Sequence, residues 1–197
     1  IKTIGLKIIK YIPSSTFKVL IYKKLFRYNI GKNVIIGKAY INCKEVVIGN
    51  NVFIADNNFI SCDKISIGAN TKIHSGNNFS GKGKFEIGKK SRIINNHYFD
   101  LWNNISIGNN TWIAGKNSEF WTHGSIHTKI NKNLSINIKD NIYIGSGSKI
   151  APGVTVASVN IIGLGSVVMG DFVESETIII GNPAKIVKKN IDWRINW

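Results

Sequence analysis

Acidic residues are scarce in this chain: 11 Asp and Glu stand against 26 Lys and Arg over 197 residues, a formal net charge of +15 at pH 7. Such an imbalance favours anionic partners. It does not point to nucleic acid, because the basic residues are scattered rather than gathered into one block and no nucleic-acid-binding motif accompanies them. Coenzyme phosphates, an acidic glycan or anionic lipid fit better. Cysteine is nearly absent as well. Cys43 and Cys62, the only two, are read as buried thiols rather than as a disulfide framework. No apolar run approaches the ~20 residues of a membrane-spanning helix, and no cleavable signal is evident. These absences leave one soluble domain, expected in the cytoplasm.

What the chain has instead is a repeat. Ile-Gly-x-Asn begins at Ile30, Ile48, Ile67 and Ile107, with Ile87-Gly88-Lys89-Lys90 as a close variant. The starts step by 18, 19, 20 and 20 residues, and between them an apolar residue returns every six: Ile48, Ile54, Ile60, then Ile67, Ile73, Phe79, then Ile87, Ile93, Phe99. Three six-residue units per lap make a triangular coil in which each unit buries its apolar face only against its neighbours. Gly and Asn at the corners supply positive φ cheaply, and stacked laps pair as parallel ladders roughly 4.8 Å apart. The expected fold is an all-β solenoid over 30–177, preceded by a helical cap at 1–29 and followed by a tail at 178–197 that packs on the coil. Two further inward rows are expected. One holds Val52, Thr71, Ser91, Thr111 and Ile142; the other is a polar ladder of Asn58, Asn77, His97, Asn117 and Ser148 that hydrogen-bonds along the axis.

The interval after Ile107 is different. The pattern resumes at Ile138, 31 residues on, and then keeps strict sixes through Ile144, Ile150, Val156, Ile162 and Val168. One lap therefore carries an insert, about 121–135, that displays His123 and His127. Imidazole suits a general base that must take a proton from a weakly nucleophilic hydroxyl near neutral pH. His123 falls four residues after a hexapeptide start at Glu119, where a corner holds it more rigidly than a loop tip holds His127. Its other nitrogen needs an acceptor, for which the Glu119 carboxylate and a backbone carbonyl both qualify. A one-residue slip would instead put Phe120 inside and Glu119 in solvent. His74 and His97 fall on regular coil positions and are read as structural.

Residues 1–29 leave the sixfold pattern. Ile1, Ile4, Ile8 and Ile12 form a helical stripe opposite Lys2, Lys7 and Lys10; Pro13 interrupts; Ser14 then begins a second helix, with Phe17, Leu20 and Ile21 against Lys18, Lys23, Lys24 and Arg27. One reading has these helices cap the open end of the solenoid. The other lays residues 1–28 on an anionic membrane surface.

The spacing [Ile/Val]-Gly-x-x-[Ser/Thr/Val]-x, the histidine-bearing insert and the tail Ile180-Gly181-Asn182-Pro183-Ala184-Lys185-Ile186-Val187 together resemble the hexapeptide-repeat acyltransferases, in particular bacterial polysaccharide and sugar O-acetyltransferases, over about Ile30–Lys189. The resemblance implies a left-handed parallel β-helix, against the usual right-handed crossover, with acetyl-CoA as donor and no metal. It places the catalytic histidine in the insert; His123, 16 residues after Ile107, matches better than His127 at 20. It implies a donor groove at Gly145, Ser146, Gly163, Gly165 and Ser166, with Tyr143 beside the acetyl group and Lys185 and Lys188 near the coenzyme phosphates. Many relatives carry Thr-Lys where this chain has Met169-Gly170 after Val167-Val168, so one phosphate contact is expected to be missing or supplied elsewhere. On the acceptor side it implies Asn95, Asn96 and Asp100, with Trp121, Trp102 and Trp112 as faces for a sugar ring. A homotrimer with sites between subunits follows, acting on a hydroxyl of a surface polysaccharide or its lipid-linked precursor. The alternatives are acetylation of an antibiotic or an amino sugar, transfer from an acyl carrier protein, a γ-carbonic-anhydrase-like metal enzyme and a non-catalytic scaffold.

Overall fold

A computed structural model describes residues 2–124 and 133–196, so His127 and the middle of the expected insert lie outside the described residues. The chain is a parallel β-solenoid of about seven turns, of the left-handed β-helix class. Each lap has three faces. The first stacks the opening half of Phe59–Ile67 with Asn78–Gly81, Tyr98–Leu101, Glu119–Phe120, Lys149–Ile150 and Val167–Val168. The second stacks the closing half of Phe59–Ile67 with Lys84–Ile87, Ile105–Ile107, Ile136–Ile138 and Thr155–Val156. The third runs from Ile35–Ile36 through Arg92–Asn95, Trp112–Lys116 and Tyr143–Ile144 to Ile178–Gly181, where Ala184–Lys188 folds back antiparallel and closes it.

The repeat explains the corners. Between the second and third faces, Asn33, Asn51, Asn70, Asn110 and Asn141 all adopt positive φ, and their amides bond lap to lap, Asn33 Nδ2 to Asn51 Oδ1 and Asn51 Nδ2 to Asn70 Oδ1, each at 3.1 Å. The preceding glycine answers to crowding rather than to φ: a Cβ on Gly68 would sit 2.5 Å from the carbonyl carbon of Gly88 on the next lap.

Inside, the apolar positions stack into columns. Phe79, Phe99 and Phe120 lie face to face, with centroids 4.5 and 4.8 Å apart. The polar rows work by a single rule, in which a side chain accepts from the backbone N–H at the same position one lap on. Asn58 Oδ1 accepts from Asn77 N, Asn77 Oδ1 from His97 N, and His97 Nδ1 from Ser118 N. Thr71, Ser91 and Thr111 repeat the scheme toward Ser91, Thr111 and Ile142. Every buried amide so engaged is satisfied without water.

Ser118, not Asn117, completes that row. Between Ile113 and Lys116 the strand register shifts by a bulge, and Gly115 and Asn117 both take positive φ. The extra residue moves everything after it by one. Phe120 is fully buried and Glu119 is turned outward, where it pairs with Lys149 at 2.8 Å and accepts from Trp121 Nε1 at 3.0 Å.

The helices also differ from the expected facing. In α1 (Lys2–Lys10) Leu6 and Ile9 are buried while Ile4 and Ile8 are exposed. In α2 (Ser15–Leu25), whose N-terminus Ser14 caps through Phe17 N, Tyr22 and Lys18 are buried while Phe17 and Leu20 are exposed. Lys18 goes inward because its ammonium finds carbonyls there: Nζ donates to Ile36, Lys10 and Gly37, tying both helices to the first coil. Burial lowers its pKa from the usual lysine value. Cys43 and Cys62 are free buried thiols on adjacent laps, Sγ to Sγ 3.4 Å.

Candidate functional site

The site grows out of the corner between the first and second faces, where the chain leaves the solenoid after Phe120. Beyond Phe120 the residues alternate: Trp121 out, Thr122 fully buried, His123 out. Thr122 is locked to the lap below. Its hydroxyl donates to the Asp100 carbonyl at 2.7 Å and accepts from Asn103 N at 2.8 Å, while Asn103 Nδ2 donates to the Thr122 carbonyl at 2.6 Å. Those bonds fix the backbone that presents His123.

Asp100 is the centre of the arrangement. Its side chain is only 7% exposed, and Oδ2 accepts from Thr122 N at 3.0 Å, His123 N at 3.2 Å and His123 Nδ1 at 2.7 Å. Because a carboxylate can only accept, the proton belongs on Nδ1 and the basic lone pair on Nε2. The imidazole is 46% exposed and stands between two indoles, Trp121 at 5.8 Å and Trp102 at 6.4 Å, both edge-on. Trp102 is 55% exposed and carries the ammonium of Lys82 over its ring at 5.7 Å. An oriented base flanked by aromatic planes can activate a hydroxyl on a stacked ring. Asp100, expected among the acceptor contacts, is instead covered and committed to the histidine. Glu119, a candidate orienter, is committed to Lys149, and that ion pair holds its carboxyl below the usual range.

The other predicted residues sit elsewhere. Asn95, Asn96 and Ser146 line the corner between the third and first faces, around an open cleft of about 660 Å³ shared with Ser75, Gly115 and Lys116. Ser146 Oγ donates to the Lys116 carbonyl at 2.7 Å and accepts from Lys116 N at 2.9 Å. Gly145, Gly163 and Gly165 follow along the same edge. A Cβ on Gly147 or Gly165 would meet nothing within 4 Å, so a bare ledge runs there that an extended pantetheine-like chain could follow. Ser166 belongs to the interior: it is fully buried and its hydroxyl donates to the Gly163 carbonyl at 2.7 Å. Tyr143 lies on the third face beside Trp193, 6.2 Å away. Lys185 and Lys188 are exposed on the closing strand Ala184–Lys188. Six residues separate Asn96 from Trp102, roughly 20 Å of extended chain, so one chain holds base and ledge on different edges.

Thr122, Asn103 and Lys116 were not singled out from the sequence. Thr122 and Asn103 could have been found by placing them in register across one lap, had the bulge been counted. Among the described residues no group of three or more His, Cys, Asp or Glu is placed to hold a metal. His97 is buried to 1% in the core, and burial lowers its pKa from 6.5 to about 4.

No family model matches the chain. A Schizosaccharomyces pombe protein provisionally named an acetyltransferase is 37% identical over 91 residues, 43% of each chain, and the galactoside O-acetyltransferase of Escherichia coli is 31% identical over 90 residues, 43% of this chain and 44% of that one. The chain thus spans less than half the length of these curated relatives. Among solved structures, the polySia-specific acetyltransferase NeuO is 25% identical with a TM-score of 0.58, over 84% of this chain and 77% of that one. A maltose O-acetyltransferase from Clostridium difficile shares the fold at 21% identity and a TM-score of 0.51, over 95% and 85%. In fold, and over the matched stretch in sequence, the chain resembles the hexapeptide-repeat acetyltransferases.

Proposed function

We propose that the protein transfers an acetyl group from acetyl-CoA to a sugar hydroxyl of a surface polysaccharide or of its precursor, with His123 as general base. The observation that carries this reading is the bond between Asp100 Oδ2 and His123 Nδ1, which frees Nε2 as the base beside Trp102 and Trp121. The galactoside O-acetyltransferase among the relatives, and the polySia acetyltransferase among the structures, support the acceptor class.

Acetyl-CoA would supply the thioester. The chain's part is to hold the acceptor ring against an indole, take the hydroxyl proton at Nε2, and keep the imidazole aimed through Asp100 and Thr122. The ledge at Gly147 and Gly165 would take the pantetheine arm, and the exposed Lys116, Lys185 and Lys188 would meet the phosphates. Base and ledge lie on different edges of one chain, so a homotrimer in which one copy's ledge faces another's His123 completes the site.

The test is acetyl transfer to a panel of glycan acceptors, read as free thiol release. His123→Ala should lower turnover by about two orders of magnitude or more while leaving acetyl-CoA affinity nearly intact; near-normal turnover would refute the assignment. Mass spectrometry of cell-surface glycan with and without the protein identifies the sugar.

A further inference from the structure

We infer that the N-terminal helices dock the protein on an anionic membrane surface. A cap needs one apolar face per helix, and here that face is already occupied: Leu6, Ile9 and Tyr22 are buried against the first coils. Each helix carries a second apolar stripe that none of the described residues covers. On α1 and the turn that ends it the stripe is Ile4, Ile8 and Tyr11, 65–67% exposed at helical spacing; on α2 it is Phe17, Leu20 and Leu25, 49–74% exposed. No helix among the described residues is long and apolar enough to cross a membrane, so the stripes suit a surface rather than a span.

The charge around the stripes selects the occupant. Lys7, Lys23, Lys24 and Arg27 are exposed beside them, and the first acidic residue of the chain is Glu45. A second copy laid on these helices would bring like charges together, whereas an anionic lipid surface offers opposite charge and an apolar interior at once. Next to α1, Lys7, Lys10, Tyr11, Tyr40 and Phe59 line an open cavity of about 440 Å³. Ammonium groups set among amphipathic rings are the chemistry of the headgroup layer. The inference stands apart from the acetyl-transfer reading, since binding is measured without turnover.

The experiment is flotation of the full chain with phosphatidylcholine vesicles, with and without phosphatidylglycerol, at low and high salt. Binding is expected only with phosphatidylglycerol and should weaken with salt. Ile8→Glu with Leu20→Glu should lower partitioning at least about tenfold, and Lys7→Glu with Lys10→Glu should abolish the preference for phosphatidylglycerol. Both pairs are surface changes, so the melting temperature and transfer to a soluble acceptor should be unchanged. Equal binding to both vesicles, or no binding by the wild type, would overturn the proposal. So would a wild type that ignores vesicles but loses an oligomer, by light scattering, on Ile8→Glu with Leu20→Glu, because the stripe would then be a protein contact.

Discussion

His123 Nδ1 lies 2.7 Å from Asp100 Oδ2 across one lap of the solenoid, and the same oxygen also accepts from the backbone amides of Thr122 and His123. The carboxylate therefore sets both the proton on the ring and the path of the chain that carries it. Asp100→Asn should leave the coil intact, because the side-chain oxygen can still accept from Thr122 N. It presents an amide of ambiguous polarity to Nδ1. Turnover should fall about 100-fold or more with little change in the KM for acetyl-CoA; equal losses in both would point to a damaged groove instead.

The exposed indole of Trp102, edge-on to His123, should act on the acceptor alone. Trp102→Ala is expected to raise the acceptor KM about tenfold, in line with the loss of one stacked ring, and to leave the donor KM unchanged.

If base and ledge meet only between copies, inactive subunits should rescue one another. Mixing His123→Ala with Ser146→Tyr, a bulky plug in the cleft beside Asn95 and Asn96, should restore about a quarter of the sites in randomly assembled trimers. Co-expression and an activity assay check this. No recovery, or a monomer by light scattering, would mean that each chain works alone.

His97 makes the fold acid-sensitive. Its folded pKa is depressed from 6.5 to about 4, and Nδ1 must stay bare to accept from Ser118 N. Between those values the unfolded chain binds a proton that the folded chain refuses. The stabilisation is complete above pH 6.5 and is lost as the pH falls toward 4, by about 3 kcal/mol at most. His97→Asn copies the preceding rung, Asn77, and should flatten the pH dependence of urea unfolding over that range.

The aromatic column offers a simpler check. Phe99 is stacked between Phe79 and Phe120 and is fully buried, so Phe99→Ala should cost about 3–5 kcal/mol.

Much of this was legible in the sequence because a solenoid writes its geometry into spacing. The intervals from Ile30 to Ile107 gave the laps, and the rows through Asn77 and Thr111 followed by counting. Counting failed where the backbone gained a residue without any change of residue type to mark it: Gly115, Lys116 and Asn117 look like any other corner. The same miscount hid the tie between Thr122 and Asp100, since a contact across laps is visible only once both laps are in phase. The helix facing was illegible for another reason. Lys18 is buried because three carbonyls happen to await its ammonium, and a periodicity argument sees only that lysine is polar.

The bulge at Gly115–Asn117 has a consequence for what this corner can do. In a strand, odd and even places look opposite ways, so one added residue exchanges them for everything downstream. With it, Phe120 and Thr122 are the inward pair and Trp121 and His123 the outward one. Remove a single residue from that corner and the parity reverses: the imidazole would be turned into the packed interior and the threonine would take its place in solvent. Which side chain faces solvent at this corner is thus chosen by the length of the turn that leads into Glu119–Phe120 from the opposite edge of that face, a setting that no residue in contact with His123 records.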